Sequence, residues 1–164
     1  MNDIVLDTCF LGEFLIQYFS LFAANRGYGR FRQDGRISRD LARRLNQIRE
    51  SRRLEALVVA SSFAFVELAR SWDGMIAGRL TEAQLYAFIN QPPEWFDIAP
   101  VDEDFVPYLF QVSKNVRVDG ELHPIELPDA IHVAATFSRG SESLLATTDG
   151  RLRSLPRLWG RTIS

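Results

Sequence analysis

Two apolar runs in this chain end on an acid: "IVLDT" at residues 4–8 and "LLATTD" at 144–149. Carboxylates are seldom fully buried without a partner, so Asp7 and Asp149 call for a reason. Two more acids sit in equally apolar surroundings. Glu67 lies within "SSFAFVELAR" (61–70), and Asp129 opens "DAIHVAATF" (129–137). Each has an ordinary reading by itself. Asp7 and Asp129 can cap helices, Glu67 can pair with Arg70 one turn on, and Asp149 can be the turn residue of "TDG". Taken together they suggest chemistry, because four like charges in one cleft repel unless a cation neutralises them. An oxygen-only donor set selects a hard divalent ion, Mg²⁺ or Mn²⁺. Such an ion accepts phosphate oxygens and activates a water for in-line displacement. Phosphodiester hydrolysis is the expected reaction.

Other residue types offer rival chemistry. Cys9 with His132 reads as a thiol nucleophile and its base, although a lone cysteine is more often a small buried side chain. His132 stands one turn after Asp129 and reads as an interior histidine at the edge of the acidic group. His123 reads as a loop residue. "RGYGRFR" (26–32) interleaves Arg26, Arg30 and Arg32 with Tyr28 and Phe31. Guanidinium groups bind phosphate and exposed aromatic rings stack on bases, so these five residues are candidate RNA contacts. The alternative is a connector whose aromatic rings cover the core.

The elements that must position these groups follow from periodicity. Residues 3–7 form a short buried strand. A helix over 10–23 is carried by Phe10, Leu11, Phe14, Leu15, Tyr18, Leu21 and Phe22. The glycine-punctuated stretch 25–36 is a loop, and Ser38 opens a helix with Leu41, Leu45 and Ile48 on one side. A second strand covers 57–60, followed by a helix capped by Ser61 or Ser62 that reaches Trp72. Thr81 and Gln84 make a capping box for a helix to Asn90. "FDIAPV" (96–101) is a third strand, Asp102 caps a helix to Ser113, and "VRVDGELHPIEL" (116–127) belongs to a loop. Pro128 and Asp129 open a helix to Phe137. "LLATT" is a fourth strand, and "GRTIS" at the end adds an edge strand. Short apolar strands alternating with helices predict an α/β three-layer sandwich around a mainly parallel sheet of four or five strands. Ligand sites in such sheets lie beyond the carboxyl ends of the strands, where Asp7 and Asp149 stand.

Composition bounds the function class. At 164 residues the chain reads as a single domain over 1–164, with an arginine-rich helical segment at about 24–55. Its 46% apolar and 24% charged residues are those of a globular protein. The longest apolar stretch, Phe10 to Ala24, is broken by Glu13, Gln17 and Ser20, so no membrane span is expected. The N-terminus lacks the basic start and apolar core of a signal peptide. One cysteine excludes a disulfide framework and a multi-cysteine zinc site. A cytoplasmic protein is the expectation. The net charge of −2 hides a segregation. Between Arg26 and Arg53, ten arginines face Asp34, Asp40 and Glu50, a surplus of +7, while the remainder carries nine basic and eighteen acidic side chains, or −9. Such a basic segment can meet phosphate.

The four acidic segments, "IVLDT", "FVELAR", "LPDAIHVAAT" and "LLATTD" in that order, resemble the motifs of the PIN-domain nucleases, especially the VapC-type toxins of toxin–antitoxin pairs. The resemblance spans nearly the whole chain, and the "DA-x-H-x-A" and "T-x-D" forms are its most specific parts. It implies a sandwich with a central parallel sheet and a metal-dependent ribonuclease with Mg²⁺ or Mn²⁺. It also implies Asp7, Glu67, Asp129 and Asp149 as the catalytic and metal-binding set. Thr147 matches the hydroxyl residue of the last motif, where it would orient the site. RNA is then the substrate, with a small antitoxin and a second copy in a homodimer as expected partners. Three departures stand out. Cys9 replaces the usual serine or asparagine, the connection from Asp7 to Glu67 is longer than usual, and Gly150 and Arg151 follow Asp149 where a further acid is common. A catalytically silent PIN-like module binding RNA or protein, and a DNA nuclease, are the alternatives.

Overall fold

Three consecutive residues at the N-terminus, Ile4, Val5 and Leu6, are all buried, and they divide between two cores. Successive side chains of a strand point to opposite faces. Ile4 and Leu6 therefore join one apolar cluster and Val5 the other, as only a sheet covered on both sides allows. The computed structural model describes residues 1–23 and 29–164. It has a five-stranded, all-parallel sheet in the order β3-β2-β1-β6-β7. The strands are β1 (Ile4–Leu6), β2 (Val58–Ser61), β3 (Phe96–Ala99), β6 (Leu144–Ala146) and β7 (Thr162–Ile163). The sequence numbers of neighbouring strands reverse between β1 and β6, which makes the crevice beyond their carboxyl ends the switch point of the sheet.

Helices flank this sheet, which gives the expected α/β sandwich. On one side lie α1 (Thr8–Tyr18), α2 (Arg39–Glu50), α3 (Ser62–Arg70), the short α4 (Trp72–Ile76) and α5 (Glu82–Asn90). The core there is aromatic: Phe14 stacks on Phe31 and Phe96 at 5.2 Å between centroids and meets Phe88 edge-on. On the other side α7 (Leu127–Ser138) buries every residue from Ile131 to Phe137, with α6 (Val106–Phe110) beside it. No helix among the described residues is long and apolar enough to cross a membrane.

Several local expectations are corrected. The first helix begins at Thr8, because Asp7 caps it through the Phe10 amide, and it ends in a π-helical turn over Phe19–Ala23. The helix expected from Asp102 to Ser113 is a 3₁₀ turn, Glu103–Phe105, running into α6, with Pro107 in the first turn where its missing N–H costs nothing. The stretch expected to be a loop is a hairpin, β4 (Asn115–Val118) with β5 (Glu121–Pro124). Asp119 and Gly120 sit at φ +50° and +83°, as a type I′ turn demands. His123 therefore lies on a strand. After Asp149 comes a short helix, α8 (Gly150–Arg153), rather than a plain turn.

Candidate active site

Parallel connectivity delivers the four acids to one edge. Asp7 follows β1 directly, its amide extending the sheet by a 3.2 Å bond to the Ala146 carbonyl. Asp149 follows β6, and Glu67 lies in the second turn of α3, which springs from β2. Asp129 is the third residue of α7 and does not cap it. That position belongs to Glu126, so the Asp129 carboxylate is left for the cleft. The helix N-terminus beside it favours a negative charge.

Three of the acids fall into two groups, one held by hydrogen bonds and one bridged by an arginine, and Asp7 stands between them in the chain's fold. In the first, the Thr8 hydroxyl donates a short bond to Glu67 Oε1, and His132 Nε2 lies 3.2 Å from Thr8 Oγ1 and 3.3 Å from the same Glu67 oxygen. The Thr8 proton is committed to the carboxylate, so the imidazole donates from Nε2 to both oxygens. The partner expected for Glu67, Arg70, is replaced by these two residues. Their hydrogen bonds, that of His132 foremost, hold the Glu67 carboxyl below its ordinary value despite burial. His132 is 3% exposed, and its Nδ1 has no hydrogen-bond partner among the described residues.

In the second group, Arg151 bridges two acids, lying 3.0 Å from Asp149 Oδ2 and 3.6 Å from Asp129 Oδ2. Asp149 also caps α8 through the Arg151 amide at 2.8 Å. Burial pushes the Asp149 carboxyl up, but the side-chain and backbone bonds from Arg151 outweigh it and the net direction is down. Asp129 moves the other way. Burial raises it first, and the Asp149 charge raises it further. Thr147, fully buried, links the second group to Asp7: its Oγ1 accepts the Asp149 amide at 3.1 Å, and its hydroxyl acts to lower the Asp7 carboxyl. Asp7 Oδ1 accepts the Phe10 amide at 2.9 Å, yet burial dominates and holds this carboxyl above its usual range.

The four acids lie at this one sheet edge, and two participants come in addition to them. Thr8 was visible in "IVLDT" only as the residue after an acid. Arg151 was visible only as a departure from the acidic pattern. Cys9 is half-buried at the same edge, and burial, aided by the Asp7 charge, pushes its thiol up, against an activated nucleophile. The proposed base, His132, is engaged with Thr8 and Glu67 instead. No three His, Cys, Asp or Glu side chains among the described residues are gathered into a preformed ion cage. The donor set is nevertheless all oxygen, and two of its members, Asp7 and Asp129, are held with raised carboxyls that a cation would relieve. Arg151 is the counter-charge that Asp129 and Asp149 have in this structure.

Among the candidate RNA contacts, Arg26 and Tyr28 lie outside the described residues. Arg30 and Arg32 are exposed. Phe31 is 3% exposed, packed on Phe14, Phe22 and Trp95, so the expectation that it stacks on bases gives way to a core role. Comparison with protein-family models, curated proteins and solved structures found no match.

Proposed function

We propose that this chain is a divalent-metal-dependent endoribonuclease of the PIN-domain type, hydrolysing RNA phosphodiester bonds as the toxin of a toxin–antitoxin pair. The observation that carries the reading is the convergence of Asp7, Glu67, Asp129 and Asp149 at the switch point of a parallel sheet, two of them with raised carboxyls. A scaffold has no use for the repulsion that the Asp149 charge exerts on Asp129. Asp7, Asp129 and Asp149 would hold Mg²⁺ or Mn²⁺, with Glu67 beside them. When bound, the ion would supply a water of lowered pKa and a counter-charge for the phosphate. The chain's own groups set the geometry. Thr8 and His132 fix the Glu67 carboxylate, Thr147 holds the Asp149 amide, and Arg151 would have to give up Asp129 and Asp149 for these two to hold an ion. The toxin role and a small antitoxin partner rest on the sequence resemblance alone.

Arg151 also favours a second reading. An internal cation across two acids is how a catalytically silent binding module would keep its repulsion in check. Incubating labelled single-stranded RNA with the protein in Mg²⁺, in Mn²⁺ and in EDTA separates the two. Metal-dependent cleavage that disappears in Asp7→Asn supports the nuclease. Binding without cleavage in any metal overturns it in favour of the silent module.

A further inference from the structure

We propose that the groove between residues 30–33 and α2 is a docking surface for the backbone of single-stranded RNA, leading it along α1 toward Asp7. The inference rests on the nuclease reading and names a route for its substrate. The groove holds about 620 Å³ and is lined by Arg30, Arg32, Arg39 and Arg43, with Gln33 and Asn46.

Its arginines are not on a loose arm. Gln17, 4% exposed, uses its side-chain amide to bind both backbone groups of Arg32, at 2.8 and 3.1 Å. Asn46, 6% exposed, does the same for Phe31 at 2.8 Å in both directions. Each buried amide pairs with one residue as a neighbouring strand would. Phe31 is thereby driven inward and Arg30 and Arg32 outward. Gly29 closes the clamp, since a Cβ there would clash with the Leu21 carbonyl oxygen. The surface is built before any ligand arrives, which lowers the entropy cost of binding.

The charges also have a direction. Gln17 lies ten residues after Asp7, about 15 Å along α1 at the helical rise. From Arg32 the chain runs back beside that helix. Asp34 and Ile37 close a two-residue turn, with Gly35 at φ +53°, and a Cβ on Gly35 would stand 3.2 Å from Glu13 Oε2. Arg36 is exposed at the tip of this turn, and its charge is felt by Asp7 and Cys9. Positive charge therefore steps from Arg30 and Arg32 through Arg36 to the acidic cleft.

Acids are present along the way. Arg30 pairs with Glu50 at 3.1 Å, Arg43 and Arg44 share Asp40, Asp34 is exposed in the turn, and Glu13 faces Arg79 at 3.4 Å. Exposed pairs of this kind are weak. Among the described residues neither Arg32 nor Arg39 makes an ion pair with an acid. A guanidinium fork matches the oxygens of a phosphate bidentately. A site holding four carboxylates repels a polyanion unless something else holds the strand. With Phe31 buried, the contact is to backbone, so it tolerates any base sequence.

The test measures binding of a labelled single-stranded RNA in EDTA, where no cleavage is expected, across a salt series. Arg32→Gln, Arg39→Gln and Arg43→Gln combined should weaken binding by about ten-fold or more. The combined variant should also flatten the slope of log K against log salt by about 2, at ~0.7 per phosphate lost. The corresponding triple lysine variant keeps the charge and should keep the slope. Melting temperatures and the Mn²⁺-induced thermal shift check that each variant is folded with its acidic site intact. Wild-type affinity and slope in the glutamine variant overturn the proposal. So does loss of an acidic protein partner with RNA binding unchanged. The outcomes separate the two claims: RNA binding lost in the variant while the wild type never cleaves supports the groove and refutes the nuclease. A cleaving wild type whose variant binds normally does the reverse.

Discussion

Replacing Thr8 with valine tests the hydrogen-bond network that fixes Glu67. Thr8 is 3% exposed and its hydroxyl donates to a carboxylate that also takes a bond from His132. Valine fills nearly the same volume, so the change removes one charge-assisted hydrogen bond and leaves no large void. Such bonds contribute about 1.5–3 kcal/mol. Glu67 keeps His132, and its side chain is 25% exposed, so water can replace part of the loss. The expected cost is therefore in the lower part of that range, about 1.5–2 kcal/mol, or a melting temperature lower by about 3–8 °C for a chain of this size. The pH dependence follows from the direction of the Glu67 shift. The His132 bond first, then Thr8, depress this carboxyl below 4.5 in the folded state. A depressed folded value means that the stabilisation is fully present above 4.5 and is lost as pH falls through the lower, folded value. The penalty in Thr8→Val should thus be largest near neutral pH and shrink in acid. Urea melts in EDTA at both ends of that window measure it, provided that each is two-state. An equal penalty at both pH values, or none at either, would refute the network as the source of the Glu67 shift.

Asp7→Asn should lower RNA cleavage by orders of magnitude while raising metal-free stability near neutral pH. The raised Asp7 carboxyl contributes stability below its unfolded value that is lost as pH rises through the folded one, and asparagine removes that loss. A variant less stable than wild type in EDTA contradicts the reasoning. Saturating Mg²⁺ or Mn²⁺ should stabilise the wild type by about 2.7 kcal/mol at a hundred times Kd, or about 5–11 °C; melts with no shift in either ion count against an ion site. Asn46→Ala should orphan both backbone groups of Phe31, at about 1–3 kcal/mol each. Hydrogen exchange should then speed up at Phe31 and Arg32 while β1 stays protected, and uniform loss of protection would mean that Asn46 holds more than this segment.

The sheet and its acids were legible because their signals are local. A strand buried on both faces must be apolar at every position, as Ile4–Leu6 and Val58–Val59 are, and an acid at the end of such a run stands out. The β4–β5 hairpin was equally local and was missed. Its Asp119-Gly120 pair between alternating residues is the I′ signal, which the surrounding loop-like composition masks. The place of Phe31 is illegible for a different reason. Between two arginines, nothing in the sequence says which way a ring points, and the decision falls to Asn46, fifteen residues away.

Sequence alone determined the layered α/β class and the strand ends at which Asp7 and Asp149 stand, since the period of apolar residues and parallel connectivity suffice for that. Tertiary structure alone decided what each carboxylate touches. The bond from Thr8 to Glu67 spans 59 positions and the approach of Thr8 to His132 spans 124, distances over which no spacing rule operates. It also decided that Arg151, next to an expected ligand, lies across two of the acids. The physical reason is that backbone periodicity is written residue by residue, whereas a carboxylate's charge state depends on whichever donors the packed chain brings within about 3 Å of it.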